Sequence, residues 1–160
     1  MGARSSNAYP TLQASLLICL LFLACGMGTY SSPPADQPMT LAGLMEFLGL
    51  PAPCNAPVDW EGRLVAVEGY VDPVNVFDKR RYPGLPYEKF SLKDRQGRVL
   101  EVWPQAQDNQ LVFDKLAGHS GNKVIVRGRL APTRAPVMGS CNLGVKVLLD
   151  GPDQLELQIP

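Results

Sequence analysis

The stretch Leu64-Val-Ala-Val-Glu-Gly-Tyr-Val71 alternates with period two, placing Val65, Val67 and Val71 on one face, with Gly69 interrupting. Alternation of this kind belongs to a strand with one face against a core. Lys123-Val-Ile-Val-Arg-Gly-Arg-Leu130 repeats the pattern: Val124, Val126 and Leu130 share a face, and Gly128 falls where Gly69 did. A glycine inside a strand marks a bulge or a sharp coil, which a small closed barrel needs. The two segments therefore predict a matched pair of coiled strands.

Between them lie Glu88-Lys-Phe-Ser-Leu-Lys-Asp94 and Arg98-Val-Leu-Glu-Val-Trp103, joined by Arg95-Gln-Gly97, which reads as a tight hairpin. Residues 109–117 form a short helical pattern, and Leu143-Gly-Val-Lys-Val-Leu-Leu-Asp150 is a last strand. The predicted order is strand, strand, strand, helix, strand, strand. Upstream, Leu41, Leu44, Met45 and Leu48 recur at helical spacing, with Thr40 as cap and Gly49 as stop. The fold class expected is all-β with a short helix, plus a short N-terminal helix that closes one end of the β-structure.

This order resembles the OB-fold, a five-stranded Greek-key barrel with a helix between its third and fourth strands. The resemblance spans residues 61–150 and rests on the Val-x-Val-x-Gly repeats at 65–69 and 124–128 and on the Phe90-Ser-Leu-Lys-Asp94…Gly97 hairpin. That hairpin is similar to the nucleic-acid-binding, tRNA-anticodon-like branch of the OB-folds. A different small β-barrel is the alternative architecture.

The N-terminus sets the expected compartment. Residues 16–24, Leu-Leu-Ile-Cys-Leu-Leu-Phe-Leu-Ala, are apolar and uncharged. A membrane span needs ~20 such residues, whereas a signal-peptide hydrophobic region is this short. The run ends in Phe22-Leu23-Ala24-Cys25-Gly26, which resembles a bacterial lipobox, although Phe22 and Leu23 are bulkier than usual. The resemblance implies a signal peptide over 1–24 and lipidation of Cys25. A Gly-, Ser- and Pro-rich tether over 25–38 then leads to a helix and lead-in over 39–60, the barrel over 61–150 and a C-terminal tail over 151–160. Gly26 after the cysteine resembles lipoproteins sorted to the outer membrane, so the expected location is the cell envelope, on the periplasmic side. Ordinary cleaved secretion and a buried apolar helix are the alternatives.

With Cys19 removed and Cys25 lipidated, Cys54 and Cys141 remain of the four cysteines. In an oxidising compartment they read as one disulfide, the alternative being two buried thiols. Neither that pair nor the lone His119 has metal-ligand spacing, and no metal or cofactor is expected.

OB-folds bind along strands two and three, flanked by the loop after strand one and the loop before strand five. Here the first loop, Phe77-Asp-Lys-Arg-Arg-Tyr-Pro-Gly-Leu-Pro-Tyr-Glu88, sets Lys79, Arg80 and Arg81 beside Tyr82 and Tyr87. Cations interleaved with aromatic rings suit single-stranded nucleic acid, the former tracking phosphates and the latter stacking on bases. If Phe90 and Leu92 face the core, Lys89, Ser91 and Lys93 face outward. Trp103 reads equally as a stacking platform or a cover for the rim, and Arg134 sits in the second flanking loop. The bland alternative is a solvated loop whose Asp78 and Glu88 offset the cations and whose tyrosines pack it down.

Fifteen Lys+Arg balance fifteen Asp+Glu, which excludes bulk attraction to polyanions and leaves only a local patch. No nucleophile elbow, phosphate loop or paired acid–base system is present, so the chain is expected not to be an enzyme. The expected function is an envelope-anchored binding module for single-stranded nucleic acid or another polyanion, such as an acidic glycan. The alternative is an interaction lipoprotein that docks an envelope protein partner.

Overall fold

The computed structural model describes residues 37–105, 109–137 and 140–158; the expected signal peptide, Cys25 and nearly all of the expected tether lie outside them. In chain order the elements are β1 (Met39–Thr40), α1 (Leu41–Phe47), β2 (Ala52–Pro53), β3 (Leu64–Phe77), β4 (Lys89–Lys93), β5 (Val99–Pro104), α2 (Gln110–Leu116), β6 (Lys123–Val137), β7 (Ser140–Leu149), a 3-10 turn at Pro152–Gln154, and β8 (Leu155–Leu157).

Five strands close a ring. β3 pairs with β4, β4 with β5, β5 with β7, β7 with β6, and β6 returns to β3; only the β5–β7 pairing is parallel. With α2 between the third and fourth ring strands, this is an OB-like Greek-key barrel. The closure depends on two strands that each serve two neighbours. Leu64–Tyr70 of β3 lies against Arg129–Lys123 of β6, while Tyr70–Phe77 lies against β4. β6 does the same, pairing with β3 through Lys123–Arg129 and with β7 from Arg129 onward.

A strand shared in this way must coil, and both glycines sit at the bends. A Cβ on Gly128 would stand 2.4 Å from the carbonyl oxygen of Leu148, far inside contact distance. A Cβ on Gly69 would come within 3.0 Å of Leu41 in α1 and Leu92 in β4. The register shift in β3 between Val71 and Val76 adds a bulge. Asp72 fixes that bulge, accepting hydrogen bonds from the Val74 backbone N–H, from Asn75 Nδ2 at 2.6 Å and from Lys93 Nζ at 3.2 Å.

The alternation read from the sequence places the core. Val65, Val67, Val71, Phe90, Leu92, Val124, Val126 and Leu130 are all buried, and each fully buried leucine or phenylalanine contributes roughly 1.5–3 kcal/mol. α1 adds Leu41 and Leu44, and the Thr40 hydroxyl caps it by accepting from Gly43 N–H at 3.1 Å. α2 adds Val112, Phe113 and Leu116.

Three short strands have no counterpart in the sequence reading. β1 adds to β3, β2 to β7, and β8 to β6 across Val124–Val126. Two or three residues carry no period to recognise. β8 also draws part of the expected tail into the sheet, with Leu155 fully buried. Cys54 and Cys141 are joined as expected, their Cα atoms 5.3 Å apart across 87 residues of sequence, next to the β2–β7 pairing.

Candidate ligand-binding face

Phe90 and Leu92 point into the barrel, which turns Lys89 to the outside of β4. Register places Lys89 opposite Phe77 of β3, and places Phe90 opposite Val102 of β5, so Trp103 lies one step beyond. β5 runs beside β7 with Glu101 opposite Lys146. Four elements thus deliver outward side chains to one patch.

The patch is aromatic. Phe77 lies 6.0 Å from Tyr82 and 6.2 Å from Tyr87, and Tyr87 lies 5.6 Å from Trp103, all between ring centroids. These are the separations at which tilted and edge-to-face rings attract. Lys89 Nζ stands 5.7 Å from the Phe77 ring, 5.3 Å from Tyr87 and 5.6 Å from Trp103. Lys146 Nζ stands 4.2 Å from the Trp103 ring. All four distances fall in cation–π range.

Glu101 ties the patch together. One carboxylate oxygen pairs with Lys89 Nζ and the other accepts from Trp103 Nε1 at 2.9 Å. Burial pushes this carboxyl up, but the hydrogen bonds from Lys89 and Trp103 outweigh it and hold the group below its usual value.

The loop from Asp78 to Glu88 is latched to α2 and its lead-in. Arg80 pairs with the buried Asp78 at 3.0 Å and with Asp114 of α2 at 2.8 Å. Burial raises the Asp78 carboxyl, yet the Arg80 side chain and backbone N–H bring it below the usual value. Glu88 accepts from the Lys79 backbone N–H and from Asn109 Nδ2, each at 3.2 Å. Arg81 lines a cavity of about 240 Å³ between the loop and α2, beside Phe113 and Ser120.

The structure therefore sorts the residues singled out in the sequence. Tyr82, Tyr87, Lys89 and Trp103 come together. Lys79 and Arg81 are exposed on the adjoining loop, with no ion pair among the described residues. Arg80 is spent on two carboxylates, and Lys93 on Asp72 at 3.2 Å. Ser91 is buried rather than open. Arg134 lies elsewhere: it sits opposite Leu143 of β7, five residues along that strand from the Leu148 that faces Trp103, roughly 17 Å away. Its Nε reaches the Cys54 carbonyl instead.

Three members of the patch escaped the sequence reading: Phe77, Glu101 and Lys146. Lys146 carried a local signal, since Val145-Lys-Val147 turns it outward on a strand. Its position beside Trp103 depends on the parallel β5–β7 pairing, which no local pattern announces.

No family model matches the chain, and no curated protein matches it. Among solved structures it is similar to a mitochondrial single-stranded DNA-binding protein from S. cerevisiae, at 15% identity over 61% of this chain and 95% of that one, TM-score 0.41. It is also similar to a small single-stranded DNA-binding protein from Streptomyces coelicolor, at 17% identity over 54% of this chain and 87% of that one, TM-score 0.36. A DUF3299-family protein from Pseudomonas aeruginosa shows 17% identity over 80% of this chain and 88% of that one, TM-score 0.33. Likenesses this distant leave the function to be read from the residues themselves.

Proposed function

We propose that the protein is an envelope-anchored binding module whose aromatic and lysine face takes a single-stranded nucleic acid or another polyanion. One observation carries this reading: Phe77, Tyr82, Tyr87 and Trp103 form a continuous outward patch, with Lys146 over Trp103 and the exposed Lys79 and Arg81 on the loop that carries the tyrosines. Exposed and half-buried rings beside cations that form no salt bridge among the described residues suit a chain of planar groups joined by phosphates. An outward aromatic patch on a protein of zero net charge is otherwise a solubility liability. The role assigned is binding, not catalysis.

The apolar run 16–24 and the Ala24-Cys25 junction support anchoring through a lipid on Cys25. One acyl chain holds a protein weakly and two or more hold it firmly, at about 0.8 kcal/mol per buried methylene. Export with a lipid anchor would place the barrel in the cell envelope, where the Cys54–Cys141 disulfide persists. Labelling cells with a fatty-acid probe tests this: the chain should take up label and Cys25→Ser should take up none.

The function itself is tested on the full chain in detergent, titrated with labelled oligothymidylate and with an acidic glycan of matched charge. Binding that weakens as salt rises is expected, and Trp103→Ala should weaken it further. No binding of either probe at low salt would overturn the reading and direct the search to envelope protein partners.

A further inference from the structure

Lys89 looks like a ligand-binding cation in the sequence, but its surroundings describe something else. Its ammonium is enclosed by three rings at 5.3–5.7 Å and paired with Glu101, and its side chain is only 17% exposed. The carboxylate that holds it also holds the Trp103 indole N–H. Lys89 is thus joined to every ring of the patch except Tyr82, and to Trp103 twice, once through the ring face and once through Glu101.

We infer that Lys89 is the positioning residue of this face: its ammonium orders the Phe77, Tyr87 and Trp103 rings for stacking and makes no phosphate contact. The inference rests on the polyanion-binding reading and sharpens it. A phosphate would have to compete with Glu101 and strip the ammonium from three rings that attract it. Lys146 is held less closely: it stands over Trp103 and lies opposite Glu101 but forms no salt bridge among the described residues. Charge contact falls to Lys146 and the loop cations, and planarity is read by rings that Lys89 keeps in place. Among polyanions the face therefore favours one carrying bases over one carrying only acidic sugars.

The decisive variant is the charge-neutral pair Lys89→Met with Glu101→Gln, which removes the ammonium and its partner without changing net charge. Compared with the wild-type full chain, it should bind oligothymidylate roughly tenfold more weakly, the scale of losing ordered stacking for one base. Its plot of log affinity against log salt should keep the wild-type slope, whereas Lys146→Ala should flatten that slope by about 0.7. In the free protein, acrylamide should quench Trp103 more readily in the double variant, Trp60 being buried and shielded from the quencher in both. Lys89→Arg in the wild-type chain, which retains the charge beside the rings, should keep both affinity and quenching near the wild-type level.

A slope flattened by about 0.7 in the double variant would show that Lys89 contacts phosphate, and would overturn the inference. Unchanged affinity, or unchanged quenching, would overturn it too, as would tighter binding of the acidic glycan than of oligothymidylate. If the wild-type protein binds neither probe, the polyanion reading falls by itself. The quenching comparison, made without ligand and repeated with Lys89→Met alone, which leaves the Glu101–Trp103 hydrogen bond in place, then still decides whether Lys89 holds Trp103.

Discussion

Single residues carry two separable kinds of necessity here. Gly128 is needed for space: a methyl group there would press on the Leu148 carbonyl at 2.4 Å, on backbone that cannot swing aside. Gly128→Ala should destabilise the barrel by about 1–3 kcal/mol, the range for overpacking. A urea melt reads this directly, and an unchanged midpoint would mean that β6 and β7 can separate there at no cost. Trp103 is needed for surface. Trp103→Ala should leave the melt nearly unchanged while weakening binding of a single strand by about 1–3 kcal/mol. If stability and binding fell together, the ring would be covering the rim rather than offering a platform. Gly69 and Gly128 were legible because each interrupts a run of alternating valines. Arg80 was misleading, since basic residues in a loop read as free cations until Asp78 and Asp114 are seen to hold this one. The sequence did place Asp78 two positions away, a spacing at which a loop carboxylate accepts from the following backbone N–H, as it does here at 2.9 Å.

At the scale of elements, the loop between β3 and β4 is set by its latch to α2. Asp78 is the buried end of that latch. Asp78→Asn should loosen the loop, exposing residues 79–87 to protease, with a much smaller effect on global unfolding. Limited proteolysis followed by mass spectrometry would show the cut, and equal resistance in both proteins would refute the latch. The acid response follows from the same contacts. Asp72, Asp78 and Glu101 are all held below their usual values in the folded chain: Asp72 chiefly by Asn75, the other two by hydrogen bonds that outweigh burial. Groups depressed by folding bind fewer protons than they do unfolded, so they stabilise the fold above their ordinary values. That contribution drains away as pH falls below about 4. Thermal midpoints measured from pH 7 to pH 2 should stay level at first and then decline below that point. The five ring strands and both helices were readable because each has a period. β1, β2 and β8 were not, being held by pairing alone.

The whole molecule depends on contacts between distant parts of the chain. The disulfide spans 87 residues and joins the lead-in to β7, so removing it frees a long loop of the unfolded chain. The loop-entropy relation sets an upper estimate of ~4–5 kcal/mol for that loss, and Cys54→Ser with Cys141→Ser should show a sizeable share of it in a urea melt. The binding face was half legible for the same long-range reason. Tyr82, Tyr87 and Lys89 are near neighbours in sequence, while Lys146 reaches them only once β5 and β7 lie side by side.

Ring closure also governs the order in which the chain can become a barrel. The first half of β3 has one ring partner, and that partner begins only at Lys123. A nascent chain therefore carries Val65 and Val67 without this partner strand until synthesis has passed Lys123. During that interval the segment is a bare apolar ribbon with an open edge, the form in which strands find one another instead of their own barrel. Holding factors that recognise extended apolar segments would be engaged early on this chain and released late, when β6 arrives. A fragment ending before residue 123 should accordingly aggregate rather than fold.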